Sequence, residues 1–296
     1  MGEARHARIA VEGVSVERLE HALAEACAAG ALGAEQGDAP APRLWIYARL
    51  ADAARVREAL LPLAGLTVGP AEPLEERAWS EDWKEGLEAI VISPRLAVRP
   101  SFSKAPSDFA GTQLVIEPGQ AFGTGGHAST RLALETLDAL PQALVVGARV
   151  LDVGCGTGVL ALAALALGAE RALACDVDPL ATAATQQAAI ANALAARLAL
   201  FTGSTGALAA RAEGSFGLIL ANLLRRELEP LLPSLARLGR PGGCLVLSGL
   251  LAEEHDAIVL RLAQAGLIAL RTRLASDAAG ERWLALEVRK RAEACS

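Results

Sequence analysis

The stretch from Arg149 to Pro179, RVLDVGCGTGVLALAALALGAERALACDVDP, limits what this 296-residue chain can fold into more than any other. Val150, Leu151 and Val153 form an apolar run that stops at Gly154-Cys155-Gly156-Thr157-Gly158. A run this short reads as a strand, and glycines at the stop allow a turn straight into a helix. Val159 to Leu167 then carries enough Ala and Leu for a buried helix, which Gly168 ends. Leu173 to Cys175 is a second short strand, closed by Asp176-Val177-Asp178-Pro179. Parallel strands joined by a helix make a right-handed βαβ unit, whose ligand sits beyond the carboxyl ends of the strands.

Gly154, Gly156 and Gly158 would let a ligand approach the backbone and would offer it free amides at a helix start. The dinucleotide fingerprint G-x-G-x-x-G is one residue out of step here, because the third glycine comes early. Asp152 discriminates better. At the end of the first strand it would set a negative charge against a pyrophosphate, whereas a cationic ligand would find a partner. S-adenosylmethionine carries an amino group and a sulfonium and has no phosphate. Asp176, 22 residues after Gly154, is placed to accept hydrogen bonds from ribose hydroxyls. The residues favour S-adenosylmethionine over NAD, with Asp152, Gly154, Gly156 and Asp176 as cofactor-binding positions. The alternatives are an NAD-linked oxidoreductase and a tight turn that binds nothing.

At 52% hydrophobic and 21% charged residues the chain is globular, and its length allows one large domain or two unequal ones. A net charge of −6 argues against general affinity for nucleic acid or anionic membrane. Cys27, Cys155, Cys175, Cys244 and Cys295 include no C-x-x-C pair, so neither a disulfide framework nor a metal site is expected, and a reducing cytoplasm is the default. The beginning, MGEARHARIAVEG, has no long apolar core behind its basic residues, and no apolar run reaches the roughly 20 residues of a membrane span.

Along the chain, His6 to Val11 alternates as a strand, Ser15 would cap a helix reaching about Ala29, and GALGAEQGDAPAP is at best a poor strand before a turn. Arg43 to Leu50 is a strand, Ala51 to Leu63 a helix, and Leu66 starts another strand. This β-α-(β)-β-α-β order predicts a ferredoxin-like α+β domain over residues 1–72, which carries no catalytic constellation and reads as a docking module. Residues 73–88 are expected to be a helical linker, with Trp79 and Trp83 on one face as packing or substrate-facing groups. Residues 89–296 then hold a hairpin about Ser93-Pro94-Arg95, five α/β repeats (among them a strand Phe216 to Ala221 and a helix Leu228 to Leu238) and a closing antiparallel hairpin. A second unusual stretch, LVIEPGQAFGTGGHAST (Leu114 to Thr130), reads as a strand, a mobile glycine-rich loop and a helix capped by Ser129 or Thr130. His127 is either a ligand-facing group or a helix-start residue.

These motifs resemble the class I S-adenosylmethionine-dependent methyltransferases, and more closely the bacterial enzymes that methylate ribosomal protein L11 (the PrmA family). EPGQAFGTGGHAST is similar to that family's D-P-G-x-A-F-G-T-G-x-H-x-T-T, and LDVGCGTGVLALAALALGA, CDVDP, ANLL and PGGCLVLSGLL extend the likeness from about Trp79 to Val288. The resemblance implies a doubly wound, mostly parallel seven-stranded Rossmann-like sheet behind the small first domain. It places Thr130, Gly154, Asp176 and Asn222 at cofactor positions. It also implies transfer of methyl groups to lysine or N-terminal amines of a large-subunit ribosomal protein recognised by the first domain. The same chemistry on another protein or a small amine is the alternative within the class. The chain departs from the pattern at Glu117, Ala128, Ser129, and at Arg225 and Arg226 after the Asn-Leu-Leu motif.

Methyl transfer needs a neutral nucleophile aligned behind the methyl group, so positioning supplies most of the rate. Asn222 is expected to orient the amine, or else is only a strand-end turn residue. The loop from Phe122 to Thr130 is expected to close over the cofactor, with Phe122 against the cofactor or the amine and His127 beside it. Glu253-Glu254-His255-Asp256 reads as the acidic first turn of a helix.

Overall fold

Among the described residues up to 74, alternate side chains of strands 6–13 and 43–49 turn to one core that two helices also face. A computed structural model of the chain describes residues 6–13, 16–36, 43–74, 87–106, 108–118, 122–208 and 212–290. The chain divides into two compact units, Met1–Gly86 and Leu87–Ser296. The first unit runs β1 (His6–Gly13), α1 (Val16–Ala28), β2 (Ala31–Gln36), β3 (Arg43–Arg49), α2 (Leu50–Leu60) and β4 (Leu66–Leu74). Its strands lie in the order β2-β3-β1-β4 with antiparallel neighbours, which is the ferredoxin-like arrangement. Ile9 and Val11 on β1 and Ile46 and Ala48 on β3 meet Leu19, Ala22 and Ala26 of α1 and Ala53, Val56 and Leu60 of α2. The weakly patterned segment is β2, an edge strand that leaves Leu32 exposed, and edge position explains why its sequence alternates so poorly. Ser15 lies outside the described residues, as do residues 75–86 of the expected linker helix with Trp79 and Trp83, whereas Pro73 and Leu74 belong to β4 and residues 87–88 are not helical.

The second unit opens with a small sheet, β5 (Ile90–Ser93), β6 (Leu96–Arg99) and β7 (Thr112–Val115), in which β5 and β6 form the expected hairpin. Next come α3 (Ala128–Asp138), α4 (Gln142–Val145), β8 (Arg149–Val153), α5 (Val159–Ala166), β9 (Arg171–Asp176), α6 (Pro179–Ala191), β10 (Leu198–Thr202) and β11 (Phe216–Asn222). The chain continues through α7 (Arg225–Leu228), α8 (Leu232–Leu238), β12 (Gly239–Leu251), α9 (His255–Gln264), β13 (Leu267–Ser276) and β14 (Arg282–Lys290). Seven strands form one sheet in the order β10-β9-β8-β11-β12-β14-β13, parallel from β10 to β12, with β14 antiparallel to both of its neighbours.

Both faces of this sheet are covered. Val150, Leu218, Leu220 and Val246 face α3, α5 and α6, whereas Leu151, Val153, Ile219, Ala221, Leu245 and Leu247 face α7, α8 and α9. Burial on two faces explains why β11 reads as an unbroken apolar run. The strand order reverses between β8 and β11, and that reversal opens a crevice at the carboxyl edge.

Two local expectations are corrected. The helix expected over Leu228 to Leu238 is broken into α7, a 3-10 turn at Glu229–Leu231 and α8, because Pro230 and Pro233 have no amide to continue a single ladder. Helix α3 is capped by His127, whose Nδ1 accepts from the Ser129 amide at 3.2 Å, and not by Ser129 or Thr130. Both hydroxyl residues are buried in the first turn, where other strands engage them.

Candidate functional site

Strand β8 delivers the chain into Gly154–Gly158, and helix α5 leaves from the left-handed Gly158. The amides of this turn are not free, as the sequence reading had supposed. Gly154 and Cys155 donate to the Cys175 carbonyl (2.9 and 3.1 Å), Gly156 to Asp176 Oδ2 (3.0 Å), Thr157 to the Phe122 carbonyl (2.9 Å) and Gly158 to the Cys155 carbonyl (2.7 Å). A diphosphate would have to displace these acceptors to find donors here. The glycines are required by close approach: a Cβ on Gly154 would lie 2.4 Å from Leu223, and one on Gly156 would lie 2.2 Å from the Phe122 carbonyl oxygen.

Asp152 is the second correction. It does not face the crevice; it is buried behind the turn, where Oδ2 accepts from the Ala161 amide of α5 at 3.0 Å and Oδ1 has no partner among the described residues. Burial pushes its carboxyl up to about 7, against the opposing pull of the Ala161 amide, and the nearby Asp176 charge adds to the rise.

Over the turn lies a cavity of about 750 Å³ at the carboxyl ends of β8, β9 and β11. It brings together Phe122, His127, Thr130, Gly154, Gly156, Asp176 and Asn222 from the sequence reading, and adds Asp178, Thr205, Leu223, Glu227, Gly249 and Trp283, which that reading missed. Asp176, Asp178 and Glu227 line it, and no lysine or arginine does among the described residues. A cationic ligand in this cavity would therefore meet Asp176 at the end of β9 and Asp178 just beyond it, and not Asp152. Asp176 spends one lone pair of each oxygen on the backbone (Gly156 and Asp178 amides, both 3.0 Å), and Asp178 caps α6 through the Leu180 amide at 2.8 Å. Cys155 and Cys175 also line the cavity, but burial pushes both thiols up, Cys175 to about 12, so neither is a ready nucleophile.

Asn222 ends β11 with Nδ2 donating to Thr130 Oγ1 at 3.1 Å and with Oδ1 buried and without a partner among the described residues. Thr130 is itself held on a first turn whose neighbour Ser129 accepts, through its carbonyl, from Ser248 of β12 at 2.9 Å. The glycine-rich loop is joined to the turn by the Thr157 amide and by Thr157 Oγ1, which donates to the Gly123 carbonyl at 2.6 Å. The exposed Phe122 ring stands edge-on to His127 (centroids 5.4 Å), and His127 stands edge-on to Trp283 (4.7 Å). Trp283 Nε1 donates to Asp277 Oδ2 at 2.9 Å, a bond that holds the Asp277 carboxyl below its usual range. Nothing local in the sequence marks Trp283, because it joins His127 only through the antiparallel return of β14. Since His127 Nδ1 accepts from an amide, the neutral ring carries its proton on Nε2.

The acceptors on the wall suit a phosphate-free cation. The family model for ribosomal protein L11 methyltransferases (PrmA) matches residues 49–291. Relatives with that name share 38% identity over 243 residues in Sorangium cellulosum, covering 78% of this chain and 75% of theirs, and 37% over 278 residues in Thiobacillus denitrificans, covering 85% and 89%. A crystal structure of ribosomal protein L11 methylase from Lactobacillus delbrueckii subsp. bulgaricus is similar with a TM-score of 0.61 at 30% identity, covering 69% of this chain and 99% of that one. With a family match that takes in the whole seven-stranded sheet, this chain is an enzyme, and it belongs to the ribosomal protein L11 methyltransferase family.

Proposed function

We propose that the enzyme transfers methyl groups from S-adenosylmethionine to amino groups, lysine side chains or the N-terminal amine, of a large-subunit ribosomal protein, the L11 counterpart, in the cytoplasm. One observation carries the reading of the site. Asn222 Oδ1 is a buried acceptor without a partner among the described residues, in a cavity lined by carboxylates, and an amine N–H is a donor that would satisfy it.

Bound in this cavity, S-adenosylmethionine supplies an electrophilic methyl group on a positively charged sulfur. The fit is supported by the absence of lysine and arginine from the described wall and by turn amides already engaged by the protein. Asp176 retains a free lone pair on each oxygen for ribose hydroxyls, and Gly154 and Gly156 keep the floor flat. Thr130 holds the Asn222 amide in one orientation, so that Oδ1 fixes the direction from which an amine lone pair approaches. A lysine amine of reference pKa about 10.4 is neutral only in a small fraction near pH 7, and that fraction, its proton passed to the bulk buffer outside the cavity, is what moves up to Asn222. His127, with its proton on Nε2, acts by setting Phe122 and Trp283 at the lip of the cavity. Asp152 supports the turn from behind.

Replacing Asn222→Ala is expected to lower kcat by on the order of a hundredfold while S-adenosylmethionine affinity changes by less than about threefold, measured by steady-state kinetics and calorimetry. Unchanged turnover would remove Asn222 from the mechanism. Radiolabelled methyl donor given with ribosomal proteins from an unmethylated strain tests the acceptor, and label on some other protein would overturn that choice.

A further inference from the structure

The segment after Asn222, Leu223-Leu224-Arg225-Arg226-Glu227, puts two cations beside a cavity read as a receiver of cationic groups. The structure removes the conflict. Arg225 Nε is held by Glu229 Oε1 at 3.0 Å, with Glu254 Oε1 at 3.8 Å, and Arg226 points to solvent with 80% of its side chain exposed. Neither arginine lines the cavity; Glu227 does.

We infer that Glu227 captures the cationic amine of the acceptor at the cavity mouth, as a positioning residue for the transfer proposed above, on which this inference rests. The carboxylates of the wall divide by position. Asp176 at the end of β9 has both oxygens engaged by backbone amides, and Asp178 just beyond it has one. Glu227 stands on the short helix that follows β11, five residues beyond Asn222. Among the described residues its carboxylate meets only the Arg226 guanidinium, at 3.9 Å, an exposed contact that competes weakly. Leu224 and Leu231 line the same side of the cavity and offer apolar surface to the methylene stem of a lysine. The Arg225 pairs with Glu229 and Glu254 hold the turn that presents Glu227. An ammonium arriving at Glu227 is still open to water, where it can lose its proton before the neutral amine moves on to Asn222.

The test uses the full chain with unmethylated ribosomal protein L11 as acceptor. Glu227→Gln should raise KM for the acceptor about three- to tenfold, with kcat and S-adenosylmethionine affinity unchanged, and the effect should shrink as salt rises. The same weakening should appear in the affinity of the acceptor for enzyme loaded with S-adenosylhomocysteine, where no reaction occurs. Glu227→Asp should keep most of the wild-type KM, and Glu227→Lys should raise it beyond Gln. An unchanged acceptor KM, a loss of methyl-donor affinity as large as the loss for the acceptor, or a salt-independent effect would overturn the assignment while leaving the proposed reaction standing. A wild-type enzyme that methylates no ribosomal protein would overturn both.

Discussion

Asp152 is a carboxylate with no cation near it. Its described titratable neighbours are Asp176 and the Cys155 and Cys175 thiols, and its one described hydrogen bond comes from the Ala161 amide. With the carboxyl raised from 3.8 to about 7, the folded chain keeps a proton between those pH values that the unfolded chain has released. The stability this group contributes is therefore full below about pH 4 and is lost as pH rises through 7. Asn resembles the protonated acid and does not titrate. Asp152→Asn should thus gain on the wild type by about 3 kcal/mol between pH 5 and pH 8, read from urea unfolding without methyl donor. A pH-independent difference would mean that the carboxylate is ionised in the fold throughout. The case also marks what a sequence conveys about a site. That an acid ends β8 is visible in LDVGCG; which way it points depends on α5 packing over it. The Phe122–His127–Trp283 contact joins residues 122 and 283 and leaves no local mark at all.

Strands and turns were more legible than caps. Apolar runs closed by glycine, by Asp-Val-Asp-Pro or by Asn-Leu-Leu give β8, β9 and β11 to within a residue or two, since burial on both faces leaves a pattern that no exposed element shares. Cap assignments failed at α3 because the Ser129 hydroxyl is paired with His127 Nδ1 and the Thr130 hydroxyl with Asn222, a partner remote in sequence. The glycine turn allows the element to be tested against a control within the same chain. Gly156 has φ +53 and would bring a Cβ to 2.2 Å from the Phe122 carbonyl, whereas Gly147 has φ +71 and nothing within 4 Å. Gly147→Ala should cost only the left-handed backbone strain, about 1–2 kcal/mol. Gly156→Ala should cost more than that and weaken methyl-donor binding by at least about tenfold, because the Thr157–Phe122 bond that seats the loop must open. Equal losses of stability and no change in binding would show that the loop is not held through this turn.

For the whole molecule, acidic residues exceed basic ones by 34 to 28, yet the reaction proposed here brings in a protein rich in amines. The described cavity wall is acidic where a cationic side chain would enter, but a single side chain cannot identify a protein. Specificity on that scale needs a surface, and the first unit has one of suitable composition. On the side of its sheet away from α1 and α2, Arg8 lies over Trp45 at 4.4 Å and Arg43 at 5.7 Å, with Glu72 and Glu12 paired to the two arginines. Tryptophan and arginine are the residues that most often dominate binding energy in protein interfaces. If the first unit selects the acceptor, Trp45→Ala in the full chain should raise KM for unmethylated ribosomal protein L11 by about tenfold, with kcat at saturation and methyl-donor affinity unchanged. Its effect should add to that of Glu227→Gln, since the two residues belong to different units and share no partner in the described structure. An unchanged KM would mean that this face does not meet the acceptor, and a fall in kcat at saturating acceptor would mean that the first unit does more than bind.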